Sequence, residues 1–380
     1  MPRAIVDITP AGQRPDEDPS LAVRNNGGVA PSSAPAPAGR REALLLLSFG
    51  GPEGHDDVMP FLENVTRGRG IPRERLEEVA EHYHHFGGVS PINDQNKALI
   101  GALQGALRAA GIGLPVYWGN RNWAPYVEDV WQQMADDGIQ HAYVLATSAY
   151  ASFSGCRQYH EDIARARAAM TGDAGAPSGP TAEKLPHYFD AEGFVRANAD
   201  ALAAALAELP ADLRDGARLV ATAHSIPDSM AAVAGPAGHA YEAELEAAAR
   251  RVVDLVAPGR AFDLVWQSRS GPPSVPWLEP DVNDHLKALA EAGERAVVLF
   301  PIGFVSDHLE VIWDLDNEAK ETAEELGLAF ARAATAGTHP AFVESLTQLL
   351  AERRGGGEPR LGTNCPASCC FVPPRPRPTA

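Results

Sequence analysis

Three carboxylates at regular spacing are the residues of this chain best suited to chemistry. Glu310, Asp314 and Glu318 recur every four residues in the stretch 299–320, just after an apolar run that ends at Phe300. Helical spacing places such residues in one row along a single face. Like charges at this spacing cost a helix about 0.2–0.5 kcal/mol per pair, so the row needs cations or solvent beside it. It indicates either a site for a divalent cation or a solvated acidic face, and the spacing alone leaves both open.

A histidine at the end of another predicted strand could complement these carboxylates. His224 follows the predicted strand 218–223 and lies within ATAHSIPD. A lone histidine at a strand end is more often a structural residue than a functional one. A neutral imidazole that faces a carboxylate across a cleft can, however, accept protons or hold a divalent metal. His224 and Glu310 are therefore our candidate pair for proton and metal chemistry.

Polar and aromatic residues also follow the ends of other strand candidates. Phe49 lies in SFGGP, where paired glycines let a flat ligand or a backbone approach closely. Ser90 precedes a proline in HFGGVSPIN, where it either caps a helix or lines a site. The stretch 148–160 surrounds Cys156, and its aromatic rings suit a core as well as a ligand wall. Its other polar and aromatic members include Ser148, Tyr150, Ser152, Tyr159 and His160.

Composition and missing motifs exclude several classes of function. A formal net charge of −18 and a pI near 5.1 argue against nucleic acid or an anionic membrane surface as a partner. No run approaches the roughly 18 apolar residues of a transmembrane helix, and the N-terminus lacks the apolar core of a secretory signal. GxSxG, Walker and HExxH motifs do not occur, which removes the usual support for a hydrolase, an NTPase or a zincin. We expect a cytoplasmic protein.

Two series of alternating strand and helix candidates position these residues. The first series begins with the apolar run 43–49, and the second follows a break rich in Gly, Pro and Ser at 171–180. This alternation predicts the α/β class, as two doubly wound units with parallel sheets. Ligands of such sheets bind beyond the carboxyl ends of the strands, which is where Phe49, His224 and the acidic row lie.

The same patterns divide the chain into five parts. Residues 1–40 are rich in Pro, Ala, Gly and Ser, and we expect them to be disordered. Residues 41–178 form the predicted N-terminal domain, and residues 179–334 form the C-terminal one. We expect a helix within 335–355 to pack back on the first domain, and 356–380 to be a tail that contains cysteines.

Five motifs, taken in order, resemble the ferrochelatases. They are SFGGP, GGVSPIN, TAHSIP, VWQSRSGPPSVPWLEP and PIGFVSDHLEVIWDLDNE, and the similarity covers about residues 41–353. Within that family the chain is most similar to the actinobacterial coproporphyrin ferrochelatases. The resemblance implies a class II chelatase-like fold, in which two Rossmann-like domains enclose an active-site cleft of porphyrin size.

The resemblance also implies a role for each candidate residue. His224 matches the active-site histidine and Glu310 the glutamate opposite it, both of which would handle pyrrole protons and Fe²⁺. Asp314 and Glu318 match an acidic ridge that leads away from that glutamate, as a path for iron or for protons. Relatives often carry tyrosine or methionine in place of Phe49, which cannot ligate iron. The positions that would contact the porphyrin are Phe49, Tyr83, Ser90 and Tyr159.

The implied function is insertion of Fe²⁺ into coproporphyrin III, which gives coproheme in haem biosynthesis. Two alternatives stay open: protoporphyrin IX or another tetrapyrrole and metal as substrates, and a non-catalytic carrier of haem or porphyrin on the same frame. The expected partners are the porphyrin and Fe²⁺, and we expect a monomer.

The four cysteines suggest a second metal site. NCPASCC supplies Cys365, Cys369 and Cys370, and Cys156 could supply a fourth thiolate from the first domain. Disulfides are unusual in the cytoplasm, and four thiolates suit either a [2Fe–2S] cluster or a structural zinc ion. Free thiols are the third possibility. The family resemblance favours the [2Fe–2S] cluster, with the structural task of tethering the tail to the first domain.

Overall fold

A computed structural model describes residues 40–68, 70–170, 179–271, 274–363, 365–366 and 368–371. The predicted disorder of 1–40 therefore concerns residues that, apart from Arg40, lie outside these ranges. Most of the predicted break at 171–180 and the last nine residues of the tail lie outside them as well.

The first half is built on a parallel sheet with the strand order β2-β1-β3-β4. Its central strand reads EALLLLS and is almost wholly buried, as parallel strands covered on both faces are. The last strand was not predicted; it pairs with β3 and so extends this sheet beyond the boundary predicted at 178. The strands are β1 Glu42–Ser48, β2 Val116–Asn120, β3 His141–Ala146 and β4 Thr181–Lys184.

The second half repeats this arrangement in a parallel sheet with the order β6-β5-β7-β8. In each sheet, the strand that comes first in the sequence of that half lies between the second and the third strands. The chain therefore crosses over in opposite directions on the two sides of this strand. The carboxyl ends at such a reversal are where open α/β sheets bind ligands. The strands are β5 Arg218–His224, β6 Phe262–Gln267, β7 Ala296–Phe300 and β8 Ala329–Arg332.

Helices cover both faces of each sheet, and together with the two parallel sheets they confirm the predicted α/β class. Two π-helical segments, Phe153–Arg157 and Ile312–Ala319, interrupt the α-helical pattern. The helices are α1 His55–Val65, α2 Arg73–His85, α3 Ile92–Ala109, α4 Val127–Asp136, α5 Gln158–Ala169, α6 Glu192–Glu208, α7 Asp228–Ala231, α8 Ala240–Val256, α9 Val282–Glu291, α10 Leu309–Val311, α11 Lys320–Glu325 and α12 Pro340–Arg354.

One apolar core runs through both halves and holds the cleft walls in place. It joins Leu44 of β1, Phe194 of α6, Leu219 of β5 and Phe342 of α12, all at most 1% exposed. The last helix, α12, lies against α3 and α6. The division of the chain into the predicted domains stays a prediction.

Close packing of α6 on α12 depends on a glycine. A Cβ at Gly193 would overlap the carbonyl oxygen of Ala341, and the Gly193 amide donates to Ser345 Oγ at 2.8 Å. We expect Gly193→Ala to lower the free energy of unfolding by about 1–3 kcal/mol, because the two helices must separate. Urea titration measures the change.

The matched control is Gly101→Ala in α3, where a Cβ meets no atom within 4 Å. This variant should gain about 0.5–1 kcal/mol, since alanine loses less backbone entropy in a helix than glycine. A destabilised Gly101→Ala, or a neutral Gly193→Ala, would contradict the packing argument.

Candidate active site

The carboxyl ends of both sheets face a single cavity between the two halves. Phe49 follows β1, Ser148 follows β3, His224 ends β5 and Glu310 follows β7. The cavity brings together all six residues that were predicted to catalyse or to contact a porphyrin, and their individual roles stay predictions. These residues are Phe49, Tyr83, Ser90, Tyr159, His224 and Glu310.

His224 and Glu310 meet across this cavity. His224 Nε2 lies 3.7 Å from Glu310 Oε2. The other ring nitrogen, Nδ1, hydrogen-bonds the carbonyl oxygen of Ser225, which can only accept. Nδ1 therefore carries the proton, and in the neutral ring the Nε2 lone pair faces the cavity. The pair thus presents a proton acceptor beside a carboxyl group.

Burial shifts the protonation of both groups. It raises the pKa of Glu310 from 4.5 to about 7, because a carboxylate loses the solvation it would have in water. It lowers the pKa of His224 from its ordinary 6.5, against the opposing effect of the hydrogen bond to Ser225. Near neutral pH, His224 is thus a neutral base and Glu310 exchanges its proton readily.

The rest of the cavity wall is aromatic and hydroxylic. The ring of Phe49 meets Phe61 edge to face, with 6.2 Å between the ring centroids. Tyr83 and Tyr159 are about 5% exposed. Ser90 is buried and does not cap α3, whose N-cap residue is Pro91, so the capping alternative is wrong. This wall suits a flat aromatic ligand with polar groups at its edge.

His308 and Arg121 are among the wall residues that sequence reasoning missed. His308 lies two positions before Glu310, and burial, aided by the charge of His224, lowers its pKa to about 3. Its position inside the motif PIGFVSDHLEVIWDLDNE could have indicated that it lines the cavity. Arg121 lies over the Tyr159 ring at 4.2 Å and pairs with buried Asp162 at 2.6 Å. Nothing in the local sequence around Arg121 indicated that position.

The acidic row is present, but its helix is not the α-helix that was predicted. Glu310 lies on α10, whereas Asp314 and Glu318 lie on the π-helical segment Ile312–Ala319. π-Helical turns form i→i+5 hydrogen bonds and are frequent at functional sites, and local residue spacing does not reveal them. Asp314 is only 9% exposed, so a solvated acidic face is excluded for it.

The outer end of the row faces a second, small cavity. Asp314 accepts hydrogen bonds from Ser268 and from Gln267, and Glu318 accepts one from Trp313 Nε1 at 3.0 Å. Burial raises the pKa of Asp314, and the neighbouring carboxylates raise it further. The predicted metal residues thus form a chain from one cavity to the next. In the described ranges no three His, Cys, Asp or Glu side chains converge tightly enough to hold a metal ion.

Comparison with known proteins decides the family. A profile of the ferrochelatase family matches residues 41–354. The chain belongs to the ferrochelatase family. Enzymes of this family are metal chelatases of the lyase class. In this ferrochelatase, none of the helices among the described residues is long and apolar enough to cross a membrane.

Curated relatives extend over nearly the whole chain. A protein of Nocardia farcinica is 58% identical and matches 88% of this chain and 98% of its own length. One of Mycolicibacterium smegmatis is 59% identical over 84% of this chain and 92% of its own length. One of Streptomyces griseus is 53% identical over 89% and 95%. Each of the three is named coproporphyrin III ferrochelatase.

All four cysteines line one cavity of about 330 Å³, away from the active-site cleft. Cys156 hydrogen-bonds Cys365, which raises the pKa of Cys156 and lowers that of Cys365. Cys369 Sγ lies 3.9 Å from Cys370 Sγ, and Cys370 Sγ accepts from the Gly235 amide at 3.1 Å. All four donors are thiols, and backbone N–H groups donate hydrogen bonds to two of the sulfur atoms, as they do in iron–sulfur sites. The four thiols therefore fit a [2Fe–2S] cluster, whose ligands are divided between two iron atoms. A structural zinc ion would require all four thiols to converge on one ion, and no three do so among the described residues.

The half-buried and desolvated carboxyl of Glu310 should make stability depend on pH. Its folded-state pKa is about 7 against an ordinary 4.5, so its stabilising contribution is full below pH 4.5 and is lost as pH rises through 7. Glutamine does not ionise and keeps that contribution. We expect Glu310→Gln to be more stable than the wild type by about 1–3 kcal/mol near pH 8 and about equal to it near pH 4.5. Urea titrations at both pH values measure this.

The control for this experiment is Glu321→Gln, an exposed carboxylate on α11. It should change stability by less than about 0.5 kcal/mol at either pH. A Glu310→Gln variant that is less stable than the wild type near pH 8 would refute the desolvation of this group.

Proposed function

We propose that this ferrochelatase inserts Fe²⁺ into coproporphyrin III and releases Fe-coproporphyrin III and two protons. The observation that carries the proposal is the His224–Glu310 pair, which places a proton-accepting nitrogen 3.7 Å from a desolvated carboxyl group. The choice of coproporphyrin III is supported by the three relatives, which share 53–59% identity with this chain and are each named coproporphyrin III ferrochelatase.

The reaction requires two pyrrole N–H protons to leave as the four ring nitrogens bind Fe²⁺. His224 Nε2 can accept a proton because Nδ1 already donates to Ser225. Glu310 can pass that proton on, since its pKa of about 7 allows both uptake and release near neutral pH. The same two groups can contact Fe²⁺ as it enters, while the ring nitrogens supply the remaining ligands.

The acidic row supports transport of ions to or from this pair. Asp314 lies one turn beyond Glu310, and the charges of Glu310 and Glu318 both act on it. Hard carboxylate oxygens suit Fe²⁺, and a chain of carboxyl groups with raised pKa values also suits protons. Both the iron path and the proton path are consistent with this arrangement.

A carrier of porphyrin would not need these groups. A carrier requires a wall that contacts the ring and gains nothing from a neutral base that faces a buried acid. Removing the carboxyl groups of Glu310 and Asp314 from water lowers the stability of the fold. An enzyme keeps such groups because they take part in catalysis. A cytoplasmic location and a monomeric state stay predictions from the sequence.

Anaerobic Fe²⁺ insertion with the two porphyrins side by side tests the function. We expect coproporphyrin III to be metallated at least about tenfold faster than protoporphyrin IX. His224→Ala and Glu310→Gln should each lower kcat by about 10²–10⁴-fold, because each removes a proton-transfer group, and both should still bind the porphyrin. Glu321→Gln is the control at full activity. A wild type that binds both porphyrins and metallates neither would favour the carrier.

We also propose that the four cysteines hold a [2Fe–2S] cluster. The support is their common cavity, their all-thiol donor set and the amide hydrogen bonds to Cys365 and Cys370. Cys156 lies in the first half, and the other three follow α12. When bound, the cluster would cross-link the tail to the first half; chelation has no net redox step that needs it.

Anaerobically purified protein should therefore be coloured, with about two iron and two sulfide per chain. Cys369→Ser should lose most of the visible absorption, since it removes one thiolate. Ser368→Ala, beside it, is the matched control and should keep the absorption. Colourless wild-type protein that contains stoichiometric zinc would contradict the cluster.

A further inference from the structure

Lys184 is an unusual residue, because it is a lysine buried without a carboxylate partner. It ends β4 and is 3% exposed. Its ammonium donates to two carbonyl oxygens, of Leu185 at 3.2 Å and of Gly362 at 3.4 Å. No ion pair to Lys184 is found within the described part of the chain. A buried charge is costly, so such a residue persists only where something offsets it.

The other lysines of the chain are either exposed or paired with carboxylates. The sequence contains four, and the remaining three are Lys97, Lys287 and Lys320. Lys97 and Lys287 form ion pairs with carboxylates and are at least one-third exposed, and Lys320 is exposed. Burial without an anion is therefore particular to Lys184.

The partners of Lys184 lead to the cysteine cavity. The Gly362 carbonyl accepts from Lys184 and also from His160 Nε2 at 2.9 Å, while the Gly362 amide donates to Cys365 Sγ at 3.4 Å. His160 itself lines that cavity.

The other charged groups of this region do not neutralise Lys184 or replace it. Arg157, in the cavity wall, pairs with Glu161 at 2.9 Å. His160 is neutral near pH 7, because burial and then the charge of Lys184 lower its pKa to about 4. The buried carboxylate of Glu244 accepts from the Ala151 amide and faces His187. Lys184 therefore carries a positive charge that no carboxylate of the described residues pairs with, one residue away from the cavity through Gly362.

We propose that Lys184 is the counter-ion of the cysteine site, and that its ammonium stabilises the anionic group held by the four thiolates. This inference rests on the cluster proposed above. Four thiolates outweigh the positive charge of the iron–sulfide core, and reduction by one electron makes the group more negative. A fixed cation beside it therefore stabilises the reduced form more than the oxidised form and raises the midpoint potential.

The test is an anaerobic dithionite titration of the cluster, followed by visible absorption, in the wild type and in two Lys184 variants. Lys184→Met removes the charge and the donors, whereas Lys184→Gln keeps an N–H donor and removes only the charge. At the wild-type midpoint potential, we expect the ratio of reduced to oxidised cluster to fall about tenfold in both variants. This change equals a shift of about −59 mV for one electron. Lys287→Met, far along the sequence on α9, should leave the midpoint unchanged.

Each outcome decides one of the two proposals. A purely structural hydrogen-bonding role predicts that Lys184→Gln keeps the wild-type midpoint, and that result would overturn the inference while leaving the cluster standing. Wild-type protein without iron and sulfide would overturn the cluster, and the counter-ion with it. If Lys184→Met does not fold, Lys184→Gln alone decides the question.

Discussion

The desolvation of two carboxyl groups one turn apart, half-buried Glu310 and buried Asp314, is the constraint on which the rest of the structure depends. Glu310 and Asp314 lie between two cavities, and no Lys or Arg side chain within the described ranges forms an ion pair with either. The side chains that contact them directly, His224, Ser268 and Gln267, are neutral. Such burial is costly, and it is maintained by the common apolar core that fixes the ends of β5 and β7 beside each other. The cost is what gives Glu310 a pKa suited to moving protons near neutral pH.

The grouping of the candidate site residues around one cavity could be predicted from the sequence because it follows from sheet topology. Apolar runs such as 43–49 identify buried parallel strands, and ligand-binding residues of these sheets follow the strand ends. Phe49, His224 and Glu310 were each found by this rule, and the structure places all three around one cavity. Ser90 and Tyr83 needed the family motifs, since helix capping and core packing explain their local sequence equally well.

Other features could not be predicted because they depend on contacts distant in sequence. The sequence of the π-helical segment Ile312–Ala319 carries the i, i+4 pattern that also predicts an α-helix. The i→i+5 hydrogen bonds of the folded segment identify it as π-helical. Strand β4 is a short polar run, TAEK, which becomes a strand by pairing with β3. Asp307, two residues before α10, pairs with Arg332 of β8 at 3.0 Å. For β4 and for Asp307, a partner far along the chain decides the local structure.

The two candidate sites share one structural element. The π-helical turn Phe153–Arg157 presents Ser154 to the active-site cavity and Cys156 to the cysteine cavity. The tail therefore docks on an element that also forms part of the cleft wall. Arg157 extends the connection, since it lies over the ring of Phe371 in the tail at 5.9 Å.

The pH dependence of single-turnover metallation tests this account most directly. Enzyme saturated with coproporphyrin III is mixed anaerobically with Fe²⁺, and the rate constant is measured from about pH 5.5 to pH 9. We predict that the rate constant rises with an apparent pKa near 7, that of Glu310, and that Glu310→Gln loses this limb. A wild-type rate constant that does not change over this range, or the same limb in Glu310→Gln, would contradict the account.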